Sequence, residues 1–153
     1  MKINKTFIAC PISKYLTNDG IDKNFEEFIK EIYAFIKTIS KNVFLALERE
    51  EYGKNKMYGS DCTISDYKEM LNADLLIAIP EDSMGVSVEI GWASALKIKT
   101  IVIVDKKYRQ SELVKSINSI VDGKRIDIDT TNGLKNEIEK IKIEIKKYID
   151  ENI

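Results

Sequence analysis

Four short runs of continuous apolar residues, each followed by a longer stretch with helical period, limit the folds open to this chain. The runs are Thr6 to Cys10, Val43 to Leu47, Leu75 to Ile79 and Thr100 to Val104, with a shorter fifth from Arg125 to Ile128. Between them, Ile21 to Ile39 carries Phe25, Phe28, Ile29, Ile32, Phe35, Ile36 and Ile39, the i, i+3, i+4 spacing of one helical face. Further helices are expected over Thr63 to Ala73, Val86 to Leu96 and Ser111 to Val121, and from Asn132 to the end. The last has Leu134, Ile138, Ile141, Ile145 and Tyr148 on its inner stripe and mixed Lys and Glu outside. Strands without polar alternation are covered on both faces, which requires a parallel sheet. The order βαβαβαβαβα predicts an α/β fold: a doubly wound five-stranded parallel sheet of order 2-1-3-4-5, flavodoxin-like or Rossmann-like. At 153 residues it is read as one domain, 1–153.

Such sheets bind ligands beyond the carboxyl ends of the strands, near the switch between strands one and three. Pro11 to Gly20, Pro80 to Gly85 and Asp105 to Gln110 are expected there. Asp22 is expected to cap the first helix. The polar stretch Glu48 to Cys62, with Tyr52 and Tyr58, reads as a long loop of the kind that forms lids.

Composition narrows the chemistry. The chain has no histidine, which removes Ser-His-Asp, Cys-His and HExxH mechanisms. Its two cysteines, Cys10 and Cys62, make no zinc site by themselves and read as reduced thiols of a cytoplasmic protein. Neither a metal nor a cofactor is expected. The balance of 24 basic and 25 acidic residues argues against a nucleic-acid partner. Met1 to Thr6 is polar, and the apolar run after it stops at Pro11, so no targeting segment is expected. No apolar stretch approaches the roughly 20 residues of a membrane span.

The segment from Ser83 to Ala93 follows the third strand and opens onto the expected crevice. Gly85 permits a sharp turn, and Ser83 with the free N–H groups of a helix start suits an anion such as phosphate. Glu89 is expected in or near the first helical turn, where the dipole favours an ionised carboxylate of the kind that stabilises an oxocarbenium-like sugar carbon. Equally, it could simply satisfy that dipole. Its apolar neighbours Val86, Val88, Ile90 and Trp92 argue that a charge there needs a partner or a task. Asp66, early in its helix, could be a second carboxylate for a leaving base or a ribose hydroxyl, or an N-terminal cap. Asp74 reads as a turn residue. On the first strand's exit loop, Ser13 and Lys14 could touch phosphate and Tyr15 could stack on a base, or all three could be ordinary loop residues. There is no GxGxxG and no Walker loop.

These residues resemble the nucleoside 2-deoxyribosyltransferase superfamily. The likeness runs from the first strand to about Val104. It rests on Phe7-Ile8-Ala9-Cys10-Pro11, on Asp66 followed by Ala73-Asp74 ahead of an apolar strand, and on Gly85-Val86-Ser87-Val88-Glu89-Ile90-Gly91-Trp92-Ala93. By resemblance Glu89 is the nucleophile or oxocarbenium stabiliser, and Asp66 helps bind the sugar or activate the base. Transferases often carry an aspartate two residues before the glycine. Ser83 stands there, as in the branch that hydrolyses nucleoside 5′-monophosphates, including the CMP and hydroxymethyl-CMP hydrolases. That branch implies a small-molecule nucleotide substrate, with Ser83, Gly85, Ser13, Pro11, Ile12 and Trp92 around it, and a homodimer in which a partner serine completes the phosphate site. Ser116, or else Ser111, corresponds to that serine. Tyr52 or Tyr58 is a candidate cap for the base. Base exchange by a deoxyribosyltransferase, and a TIR-like nucleotide-sensing or NAD-cleaving domain, are the alternatives.

Overall fold

A computed structural model describes residues 3–153. Strand β1 (Ile3–Ala9) leads into a small hairpin, β2 (Leu16–Thr17) and β3 (Gly20–Ile21), and then helix α1 (Lys23–Ile39). Next come β4 (Ser40–Leu45), the short α2 (Ala46–Arg49), α3 (Gly59–Leu71), β5 (Leu75–Ala78) and α4 (Met84–Ala95). The chain closes with β6 (Lys99–Asp105), the short α5 (Glu112–Lys115), β7 (Gly123–Ile128) and α6 (Ile138–Asn152). The five long strands lie in the order β4-β1-β5-β6-β7, all parallel. Counted over those strands this is 2-1-3-4-5, the doubly wound order.

Each strand sends alternate side chains to opposite faces. Ile8, Ile77, Ile101, Ile103 and Ile126 meet Phe25, Phe28, Ile29, Ile32 and Ile36 of α1 and Ile141 and Ile145 of α6. Phe7, Ala9, Leu76, Ala78 and Val102 meet Met70, Val86, Ile90 and Ala93 on the other face. Burying each large apolar side chain contributes roughly 1.5–3 kcal/mol, so these two layers hold the sheet without cross-links. At the start of β7, a Cβ on Gly123 would lie 1.8 Å from the Thr100 carbonyl oxygen, so only glycine lets that strand dock.

Several boundaries differ from the sequence expectation. Asp22 does cap α1, accepting from the Phe25 N–H at 3.0 Å, but the helix begins at Lys23 because the hairpin takes Gly20 and Ile21. Ala46 and Leu47 open α2 rather than ending a strand. The expected loop from Glu48 to Cys62 is largely folded. Glu51, Tyr52 and Gly53 turn through positive φ, and α3 starts at Gly59, four residues before Thr63. That start is polar, so no apolar period marks it. Only Asp66 and Met70 of α3 are buried; Ile64, Tyr67 and Leu71, expected beside Met70, are exposed. The helix expected over Ser111 to Val121 breaks at Lys115, and α6 starts at Ile138, after Gly133 at φ +114° interrupts the pattern. Among the described residues no helix is long and apolar enough to cross a membrane.

Candidate active site

The central neighbours β1 and β5 end side by side, Ala9 opposite Ala78. Beyond those ends the exit of β1, the first turns of α4, the body of α3 and the end of α2 enclose a cavity of about 400 Å³. Glu89, Asp66, Ser83, Gly85, Ser13, Ile12 and Trp92 all line it. The fold thus gathers seven of the nine residues proposed from the sequence. The stretch from Asp105 to Gln110 does not reach this cavity. The Asp105 carboxylate is fully buried and binds the backbone N–H and hydroxyl of Thr130 and the Lys107 N–H.

Glu89 is the sixth residue of α4, not part of the first turn. The dipole effect fades within one turn, and burial decides the outcome instead. Burial pushes the Glu89 carboxyl up to about 8, the charge on Asp66 adds to the rise, and Arg49 opposes it. The expectation of a dipole-favoured carboxylate is therefore corrected. At about 8 Glu89 holds its proton near neutrality, and stabilising its anion requires positive charge nearby.

Asp66 is the eighth residue of α3, so an N-terminal capping role is ruled out. It is buried, and its Oδ1 accepts from Arg49 Nη1 at 2.6 Å while the Cys62 thiol points at its Oδ2 from 3.5 Å. Arg49 closes α2 and also donates to Ser65 Oγ at 2.8 Å and, through Nη2, to Glu50 Oε1 at 3.0 Å. Its guanidinium lies 5.5 Å from the centre of the Phe44 ring. Glu50 is 5% exposed and lines the cavity. Arg49 and Glu50 were missed by the sequence reading. The available signal was position, a charged pair immediately after the strand that neighbours β1.

Ser83 caps α4, its Oγ accepting from the Val86 N–H at 3.4 Å. The sharp turn ahead of it is made by Glu81 and Asp82, both at positive φ, rather than by Gly85, which is helical. A Cβ on Gly85 would meet only Ser83 Oγ, at 3.9 Å, so the glycine leaves the head of the helix open to the cavity. Trp92 stands edge-on to Tyr67 with ring centres 5.2 Å apart. Cys10 and Cys62 both line the pocket as free thiols, and burial pushes both thiols up, away from thiolate.

Two proposed residues lie elsewhere. Pro11 is buried and does not line the cavity. Ser116 sits with Ser111 in a shallow depression of α4 and α5, beside Ser87, Gly91, Leu113 and Ile120. The tyrosines of the expected lid are also outside. Tyr52 packs toward α1, with Lys30 Nζ 4.3 Å from its ring centre, and Tyr58 is exposed at the start of α3. Lys14 and Tyr15 turn away from the cavity toward Glu81. Among the described residues no group of three or more His, Cys, Asp or Glu is placed to hold a metal ion.

No protein-family model matches the chain, and no curated protein does. Solved structures do. The Clostridium botulinum CMP N-glycosidase BcmB is 24% identical, with a TM-score of 0.66 over 92% of this chain and 98% of that one. The solution structure of BlsM is 24% identical, with a TM-score of 0.74 over 97% and 93%. A conserved protein from Enterococcus faecalis V583 is 18% identical, with a TM-score of 0.59 over 93% and 99%. Over nearly its whole length, this chain has the fold of these three proteins.

Proposed function

We propose that the protein hydrolyses the N-glycosidic bond of a nucleoside 5′-monophosphate, releasing free base and pentose 5-phosphate. One observation carries the reading: the half-buried carboxyl Glu89 shares a pocket with Asp66 and with the open, serine-capped head of the same helix. Phosphate at Ser83 and the first N–H groups of α4 would anchor one end of the substrate. Binding energy from that remote end would then hold the anomeric carbon against Glu89. The C1′–N bond breaks with its electron pair leaving on the base, while the Glu89 carboxylate bonds to or stabilises the electron-poor C1′. Water then adds its hydroxyl to C1′, any bond from C1′ to Glu89 breaks with its electron pair returning to the carboxylate, and the water's proton goes to the departed base. Asp66, oriented by Arg49, would hold a sugar hydroxyl or pass that proton. The fold shared with a CMP N-glycosidase supports the reading. A pyrimidine base, a cytoplasmic setting and a homodimer belong to the same proposal. In the dimer, the exposed Leu113 and Ile120 beside Ser116 would meet a second copy.

The test is chromatographic. The protein is incubated with each common ribo- and deoxyribonucleoside 5′-monophosphate, with the matching nucleosides and with NAD, beside Glu89→Ala. Base released from a monophosphate, not from the bare nucleoside and not by Glu89→Ala, is the expected result. Exchange with an added second base would identify a deoxyribosyltransferase instead, nicotinamide release an NAD-cleaving enzyme, and no release a binding domain.

A further inference from the structure

A second cluster of polar side chains lies behind the pocket, and the chemistry above does not use it. Its centre is Glu81, the third residue after β5 ends at Ala78. This carboxylate is 1% exposed. A buried carboxyl needs partners, and here they come from a neighbouring loop and reach Oε2, while Oε1 is buried without one. Tyr15 donates its hydroxyl to Glu81 Oε2 at 2.6 Å, and Lys14 Nζ lies 3.2 Å from the same oxygen and 3.3 Å from the Glu81 carbonyl oxygen. Tyr15 is itself fixed, stacked on Phe25 with ring centres 3.8 Å apart and its hydroxyl 3.3 Å from that of Tyr108. Lys14 Nζ sits 3.1 Å from the centre of the Tyr108 ring.

What these contacts join decides their meaning. Lys14 and Tyr15 continue directly from Ile12 and Ser13, which form one wall of the pocket. Glu81 is followed by Asp82 and then Ser83, which also lines the pocket and caps α4. Glu81 and Asp82 adopt φ of +37° and +63°, conformations that non-glycine residues hold only when their surroundings over-determine them. Glu81 therefore acts in two directions. Its side chain fixes the Ser13 wall, and its strained backbone aims Ser83.

We propose that Glu81 is a positioning residue: its clamp on Tyr15 and Lys14 sets the gap between Ser13 and Ser83 and thereby the fit of the phosphate end of the substrate. The proposal rests on the function given above for the site. It assigns Lys14 and Tyr15 to the clamp, not to phosphate or base. Loss of the clamp loosens an anchor remote from the reacting bond, so binding suffers and the chemical step does not.

The test uses Glu81→Gln, Tyr15→Phe and Lys14→Met in the full chain, with cytidine 5′-monophosphate as substrate and ribose 5-phosphate as a competing ligand. Glu81→Gln is expected to raise KM and the ribose 5-phosphate inhibition constant together by about tenfold, with kcat held within about twofold. Lys14→Met is expected to do the same, and the double variant to be no worse than either single one. Tyr15→Phe keeps the ring stacked on Phe25, so it reads the clamp if Glu81→Gln folds poorly. Hydrogen exchange at Ile12 to Leu16 and Ser83 to Val86 is expected to quicken in Glu81→Gln while the strands keep their protection. Unchanged KM and unchanged exchange, or a loss confined to kcat, would overturn the proposal. If the wild type releases base from no monophosphate, the function above fails, and the exchange measurement still decides whether Glu81 holds the two walls.

Discussion

Arg49 Nη1 lies 2.6 Å from Asp66 Oδ1, and this contact sets the field in which Glu89 works. Asp66 raises the Glu89 pKa and Arg49 lowers it, both acting on a carboxyl that burial has already pushed up. The guanidinium is shared with Glu50, so one cation serves two buried carboxylates and neutralises neither alone. Burial works against the Arg49 charge, yet Asp66 and Glu50 outweigh it and keep the cation in place.

The pH dependence of turnover follows from this arrangement. The proposed chemistry needs Glu89 ionised in the free protein, so kcat/KM is expected to rise with pH and level off above about 8. Asp66→Asn removes the repelling charge and should move that limb to lower pH, under a lowered ceiling. Arg49→Met should move it upward. A limb that stays fixed in both variants would assign it to a different group. The measurement is base release against pH for the three proteins.

Stability should carry the opposite imprint of the same group. The folded-state pKa of Glu89 lies above its unfolded value, so between about 4.5 and about 8 the folded protein retains a proton that the unfolded chain gives up. Stability therefore falls across that window and bears the full cost of the buried anion above it. Glu89→Gln cannot ionise. It should match the wild type near pH 4.5 and exceed it above pH 8 by an amount on the order of a few kcal/mol. Urea unfolding at several pH values checks this. Parallel curves would mean that Glu89 is solvated well enough to ionise without cost.

Ser83→Ala tests the anchoring end. The capping bond to the Val86 N–H is long at 3.4 Å, so its loss should cost about 0.5–1 kcal/mol of stability, the low end for such caps. The larger effect is expected in KM for a nucleoside 5′-monophosphate, about tenfold or more, because a donor to the phosphate is lost. A bare nucleoside should be bound equally by both proteins. Equal losses with and without the phosphate would remove Ser83 from the anchor.

The sheet was legible because Phe7, Ile77, Val102 and their neighbours are apolar on both faces of the strands, and that pattern admits one architecture. The pairing of Glu89 with Ser83 was legible because both lie on one short segment. Arg49 was hidden because its partner Asp66 lies 17 residues away, and no local pattern reports a contact across that separation. The protonation of Glu89 was misread for a related reason. Sequence position suggested the helix dipole, whereas the burial that overrides it arises in a pocket shared with residues of α3 and β1, which only the fold brings in. The start of α3 and the exposure of Ile64 and Leu71 were misread because that helix buries only Asp66 and Met70.

Self-association supplies the last test, and it bears on where Ser116 acts. Leu113 is 83% exposed and Ile120 75%, and both border the depression that holds Ser116 and the small residues Ser87, Gly91 and Ser94 of α4. Large apolar side chains grouped beside small ones form a surface that a second helix face can approach closely. The head of the same α4 lines the pocket at the proposed phosphate end. In the proposed homodimer a second copy covers this depression, and its Ser116, not the local one, is the serine expected to complete the phosphate end. Leu113→Asp and Ile120→Asp should each shift the protein from dimer to monomer in sedimentation velocity at micromolar concentration. They should also raise KM for the monophosphate while Glu89 and Asp66 stay in place. Ser116→Ala should raise KM without changing the oligomeric state. A wild type that sediments as a monomer and turns over normally would confine the whole site to one chain and leave Ser116 without a role in it.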